Sequence, residues 1–182
     1  MTPDQARVLK SEFAAASKQA AALTTGMSPV ALTTRPATGG WSVAENLQHL
    51  ILSADAMVPL VEVAVVELEG ADRKARGASG LGIVGWLLVK SLEPPARLKT
   101  KTSQPFEPIP VADPLALPPL LDAAHAKLEV LLTRATGLAT GTVKIVSPFN
   151  ARATYNVYAA FRITVVHARR HLWQAEQVNV SA

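Results

Sequence analysis

A chain of 182 residues, 49% hydrophobic and 18% charged, is long enough for one well-buried domain and short for two, and this composition excludes an extended disordered protein. It contains no cysteine, so disulfides, thiolate nucleophiles and thiolate ligands are excluded, and any metal site must use histidine and carboxylate. The net charge of +4 is spread thinly, with clusters at Arg73-Lys74-Arg76 and Arg97-Lys99-Lys101 and the three tryptophans outside both, which argues against a nucleic-acid partner.

The N-terminal stretch MTPDQARVLKSEFAAASKQAAAL mixes charge with alanine and lacks the apolar run of a secretory signal, so a cytoplasmic location is expected. Ala6, Leu9, Phe13, Ala16 and Ala20 recur at three- and four-residue steps and predict an amphipathic helix from Pro3 to about Thr24. Gly26, Pro29, Pro36 and Gly39-Gly40 then break the pattern and predict a long connection. Ser42-x-x-Glu45 is a capping box, in which the serine hydroxyl accepts the N3 amide and the glutamate reaches back to the cap amide. The helix it starts should run to about Gly70, with Pro59 as a possible kink. In register with His49 lie Ser42, Glu45, Leu52, Ser53, Ala56, Leu60 and Val63, so His49 is expected to face inward. The apolar windows Ala54 to Val66 and Leu81 to Val89 are short or interrupted by Asp55 and Glu62, and no membrane span of ~18 to 20 residues is expected.

Arg73 to Ser79 reads as a loop, and Leu81 to Leu92 as a short apolar helix or a packed segment. Eight of the thirteen prolines lie between Pro94 and Pro119, a density that predicts an extended crossover. A further helix follows from about Leu117 to Thr136, with an apolar stripe of Leu117, Leu121, Ala124, Leu128, Leu131 and Leu132, and is closed by Gly137. His125 sits roughly 80° off the centre of that stripe, where a structural or solvent-edge role is expected. Thr142 to Val146 reads as a short strand or extended piece, and the last helix is expected from near Thr154.

That last helix carries the most informative spacing in the chain. His167 and His171 are one helical turn apart, so both imidazoles face one spot, on a stripe shared with Ala160, Ile163, Thr164, Gln174 and Val178. Two imidazoles leave a divalent ion largely hydrated, and the best candidate for a third ligand is His49. A histidine pair at this spacing is also common as a surface or hydrogen-bonded core feature.

Gly39-Gly40-Trp41-Ser42-x-x-Glu45-x-x-x-His49-Leu50, the proline-rich crossover and His167-x-x-Arg170-His171-x-x-Gln174 together resemble the DinB-like superfamily, in its DinB/YfiT-like branch of metal-dependent hydrolases, over nearly the whole chain. The resemblance implies a single all-α domain, an up-down-down-up four-helix bundle, commonly a homodimer, with a three-histidine site for a divalent metal, often nickel or zinc. Carried onto this chain, the ligands would be His49, His167 and His171. The position after the first C-terminal histidine, often acidic in relatives, is Ala168 here.

Three imidazoles leave coordination positions open, and an open divalent site lowers the pKa of bound water to ~7. Relatives include hydrolases and S-transferases that use low-molecular-weight thiols, and the sequence does not choose between them. Either enzyme would act on a small-molecule substrate. Glu45 is a weak candidate for a general base, since capping competes for it. Asn46 and Gln174 are candidates to bond the non-ligating ring nitrogens. Trp86, Phe161 and Trp173 read as core or dimer-interface aromatics. The rival reading is a non-catalytic, stress-associated dimeric bundle with a structural or vestigial metal site.

Overall fold

A computed structural model describes residues 1–37, 39–95 and 102–180, with side chains through 178. Among these residues there are six α-helices and one two-stranded antiparallel sheet. Helix α1 spans Pro3–Thr24, opened by a capping box of Thr2 and Gln5 and by Pro3 in the first turn; its buried face carries Ala6, Leu9, Phe13, Ala16 and Ala20, as the periodicity predicts. The connection expected after it contains a short helix, α2 (Pro29–Thr33). Pro29 starts this helix instead of breaking the chain, because the Ser28 hydroxyl caps it and proline suits a first helical position.

Helix α3 (Val43–Gly70) begins at the Ser42 and Glu45 capping box and contains Pro59. Its buried side differs from the stripe drawn through His49. Leu47, Leu50, Ala54, Met57, Val61, Val65 and Leu68 are buried, whereas Val63 is 71% exposed. The core arc is centred about 100° round the helix from His49, so the histidine sits at the edge of the core rather than at its middle. By length and composition α3 can cross a membrane, with a window of mean hydropathy 1.8, because Asp55 and Glu62 are too few to lower the average as expected from the sequence. Within this fold α3 is a core helix, packed between α5 (Leu117–Ala135) and α6 (Val157–Val180).

Helix α4 (Gly82–Leu92) packs on α6 through Gly85, where a Cβ would lie 2.6 Å from that of Ala159. Trp86 is on the outer face and half exposed, while Phe161 is in the core. Among the described residues of the proline-rich segment, 102–116 is irregular, as predicted, apart from single 3-10 turns at Gln104–Phe106 and Pro114–Ala116, whereas Pro118 and Pro119 fall in the first turn of α5, where proline needs no amide donor. Residues 96–101, which include Arg97, Lys99 and Lys101, lie outside the described residues. The predicted stripe of α5 is buried throughout, and Gly137 beyond it adopts φ +82°, a conformation that glycine takes without a Cβ clash.

Strand β1 (Lys144–Val146) pairs with β2 (Thr154–Asn156), which the sequence reading placed inside the last helix. Helix α6 starts three residues later because the Asn156 side chain accepts the Ala159 amide at 2.8 Å and acts as its cap. Val165 and Leu172, off the His167 stripe, are as buried as residues on it. The reason is that α6 packs on α1, α3 and α4, and a helix enclosed on several sides has no single apolar face.

Residue pairs give the helix directions. Asn46 meets His171 and His49 meets His167, so α3 and α6 run antiparallel. Asp55 meets Lys127 and Glu69 meets Arg134, so α3 and α5 run parallel. Glu12 meets Arg162 and Gln19 meets Glu176, so α1 runs with α6.

Candidate metal centre

The site lies between the first two turns of α3 and the middle of α6. The capping box fixes the start of α3, and Asn46 at the first turn is fixed in turn: its Nδ2 donates to Ser42 O at 2.9 Å and to Trp41 O at 3.4 Å. Both partners are carbonyls, so Oδ1 must point the other way, where it accepts from His171 Nδ1 at 3.0 Å. His49, one turn further along α3, donates from Nδ1 to the Phe106 carbonyl at 2.8 Å. With Nδ1 protonated on both rings, both Nε2 atoms carry a bare lone pair.

These lone pairs converge with His167. His49, His167 and His171 each offer one nitrogen, all within 4.8 Å of one another, and the His49 and His167 Nε2 atoms are 3.2 Å apart. Two imidazoles bound tetrahedrally to one ion at ~2.05 Å would place their nitrogens roughly 3.3 Å apart. The donor set is therefore compatible with a divalent ion in its chemistry, in the tautomer of His49 and His171 and in the spacing of His49 and His167. His49 and His171 are buried, and His167 keeps part of its side chain exposed while its ring lies against Phe149.

Burial makes all three rings poor bases. It lowers the pKa of His49 despite the Phe106 carbonyl, which acts in the opposite sense. His167 is pushed down to about 3 by burial, then by His49 and Arg170, and His171 lies well below the ordinary value through burial, His167, His49 and Arg170. Neutral imidazole is the ligand form, so the cluster needs no deprotonation at pH 7 to accept a metal.

Aromatic rings wall the cluster. Trp41 lies 4.9 Å from the His49 ring and is stacked 5.6 Å from His171. Phe149, from the β1–β2 turn, is 5.9 Å from His167 and 4.6 Å from Phe106. Phe106 and Phe149 carried no signal in the sequence, since each sits in a loop with no periodicity to place it. Trp41 was visible as part of the helix-start motif, and its wall position follows from being next to Ser42.

Glu45 is turned away from this task. Its carboxylate accepts the Ser42 amide at 2.8 Å and grips the Arg35 guanidinium. Burial pushes its pKa up, but the Arg35 hydrogen bond, the Ser42 amide and the Arg35 charge bring it below the ordinary value. Gln174 makes no hydrogen bond to the histidines, so of the two amide candidates Asn46 alone supports a ring. His125 stands apart. It is 2% exposed, bonded through Nδ1 to Ser17 Oγ at 3.1 Å and packed on Phe13, so it is structural, but in the core rather than at a solvent edge.

The model of the DinB superfamily matches residues 12–175, a span that holds His49, His167 and His171 and runs from the middle of α1 into the last turns of α6. The chain belongs to the DinB superfamily. No curated protein and no solved structure matches this DinB chain. Membership and the three-histidine cluster together are compatible with a metal-binding protein.

Proposed function

We propose that this DinB protein is a metal-dependent enzyme in which His49, His167 and His171 hold one zinc or nickel ion within an up-down-down-up four-helix bundle, and that it transfers groups to or from a low-molecular-weight thiol. One observation carries the proposal: three imidazole nitrogens converge, with the Nδ1 protons of two rings committed to Asn46 and Phe106. A bound ion supplies Lewis acidity that stabilises an anionic nucleophile. Asn46 and the Phe106 carbonyl hold two rings in the ligating tautomer, and Trp41, Phe106 and Phe149 keep water from the flanks.

The thiol reading is preferred to hydrolysis because of the charges around the cluster. Glu45 is committed to Ser42 and Arg35, and the charged side chain that bears on His167 and His171 is a cation, Arg170, which is buried and donates to Ser91 O at 3.1 Å. A bound ion would ionise a thiol or a water alike near neutral pH, but hydrolysis gains further from a positioned base that handles the protons of water and leaving group, and Glu45 is committed elsewhere. The experiment is metal analysis of untagged protein, followed by thiol-transfer and ester-hydrolysis assays with and without a chelator. Thiol transfer lost on chelation supports the proposal; chelator-sensitive ester hydrolysis without thiol transfer replaces it with the hydrolase reading; protein that takes up no ion refutes it.

A further inference from the structure

The crossover between α4 and α5 passes beside the histidine cluster, and two hydrogen bonds fasten it there. The Phe106 carbonyl accepts His49 Nδ1–H at 2.8 Å, and the Ile109 amide donates to Gln48 Oε1 at 2.7 Å. Gln48 and His49 are adjacent on α3, so one turn of helix anchors both ends of a four-residue span. The Phe106 ring is buried against Phe149, which touches His167. The segment therefore meets one histidine through its backbone and a second through a pair of rings. Pro105, Pro108, Pro110 and Pro114 remove amide donors from the segment, and among its described residues, 102–116, regular structure is limited to two 3-10 turns, so anchors from outside must fix it.

From this we infer that the seating of residues 104–111 and the occupancy of the metal centre are one coupled equilibrium, with Gln48 as a positioning residue that acts on the ion through Phe106 and His49. The inference rests on reading the cluster as a metal centre. The link is a single proton: His49 offers the Nε2 lone pair only while Nδ1 is protonated, and the Phe106 carbonyl holds that proton. A loosened segment frees the ring to turn or change tautomer and weakens the ligand. By reciprocity, an ion that fixes the ring also fixes the carbonyl and tightens the segment.

The test uses the full chain with zinc as the probe. Gln48 is half-buried, and Gln48→Met keeps the length and helix preference of the side chain while removing its oxygen. Zinc release to an excess of chromophoric chelator is expected to be about fivefold faster in Q48M, the effect of one net hydrogen bond. Q48E keeps an acceptor for the Ile109 amide and, in salt high enough to screen its charge, should release zinc at the wild-type rate. Hydrogen exchange at the amides of 106, 107 and 109 should slow on zinc addition, and less so in Q48M. Equal release from wild type and Q48M, or exchange over 104–111 indifferent to zinc, overturns the inference while leaving the metal centre standing. A wild-type protein that binds no zinc or nickel overturns both.

Discussion

Two places in this molecule bury neutral histidine, and they are alike in everything except what the rings face. His125, His49 and His171 are all buried, all with pKa values lowered chiefly by burial, and each has an Nδ1 partner. At His125 the surroundings are Ser17 and the Phe13 ring. In the cluster, the second nitrogens converge on a common space. A buried imidazole with a depressed pKa is thus no sign of a site by itself; the sign is convergence of lone pairs after the protons have been assigned.

The strongest way to break this comparison is to remove one ring from each place. His171→Ala should lower zinc affinity by at least about a hundredfold, more than the usual loss from an altered supporting bond. It should keep its helical circular dichroism, because a chain of this size buries enough apolar surface to fold without the ion. What it should lose is stabilisation by added zinc, which follows RT ln(1 + [L]/Kd). His125→Gln should bind zinc as the wild type does. Equal zinc affinity in His171→Ala and the wild type, read by calorimetry, would remove the distinction, and unfolding of the metal-free wild type at room temperature would make the ion a structural staple.

A smaller effect concerns protons. The pKa of His125 is lowered from 6.5 to about 4 by burial, with Asp122 opposing. Between these values the unfolded chain binds more protons than the folded one, so stability is complete above about pH 6.5 and falls as the pH drops toward 4. The difference amounts to roughly 3 kcal/mol. In metal-free protein the cluster titrates in the same direction, so the informative quantity is wild type minus His125→Gln. Urea unfolding at pH 7 and pH 4 should show the wild type losing about 3 kcal/mol more than the variant; parallel curves would mean that His125 is protonated in the folded state.

How much of this was legible in the sequence depends on periodicity. The buried faces of α1 and α5, the start and end of α3 and the proline crossover could be read because a lone stripe, a cap and a lost amide donor are local properties. The i, i+4 spacing of His167 and His171 was legible for the same reason. The core face of α3 was misjudged because the stripe was drawn through a residue chosen for chemistry, which sits at the edge of the core. The all-round burial of α6 and the contacts of Phe106 and Phe149 arise from packing between distant segments, and no local pattern encodes them.

The finest test exchanges only the hydrogen-bond partners of two rings. Asn46→Ala removes the acceptor for His171 Nδ1 and the side-chain bonds to Ser42 O and Trp41 O, while Ser17→Ala removes the partner of His125. Each leaves a buried imidazole nitrogen without its bond, so each should destabilise the fold by about 1 to 3 kcal/mol. The two should part company on metal. Without Asn46 the His171 proton is free to move to Nε2, which takes the lone pair away from the cluster, and zinc affinity should fall by about ten- to a hundredfold. Ser17→Ala should leave zinc affinity unchanged, because the lone pair of His125 serves no shared ligand. Zinc titrations of both variants at one pH decide the matter: an equal loss in the two would mean that stability rather than tautomer governs metal uptake, and no loss in Asn46→Ala would mean that the His171 ring keeps its ligating form without help.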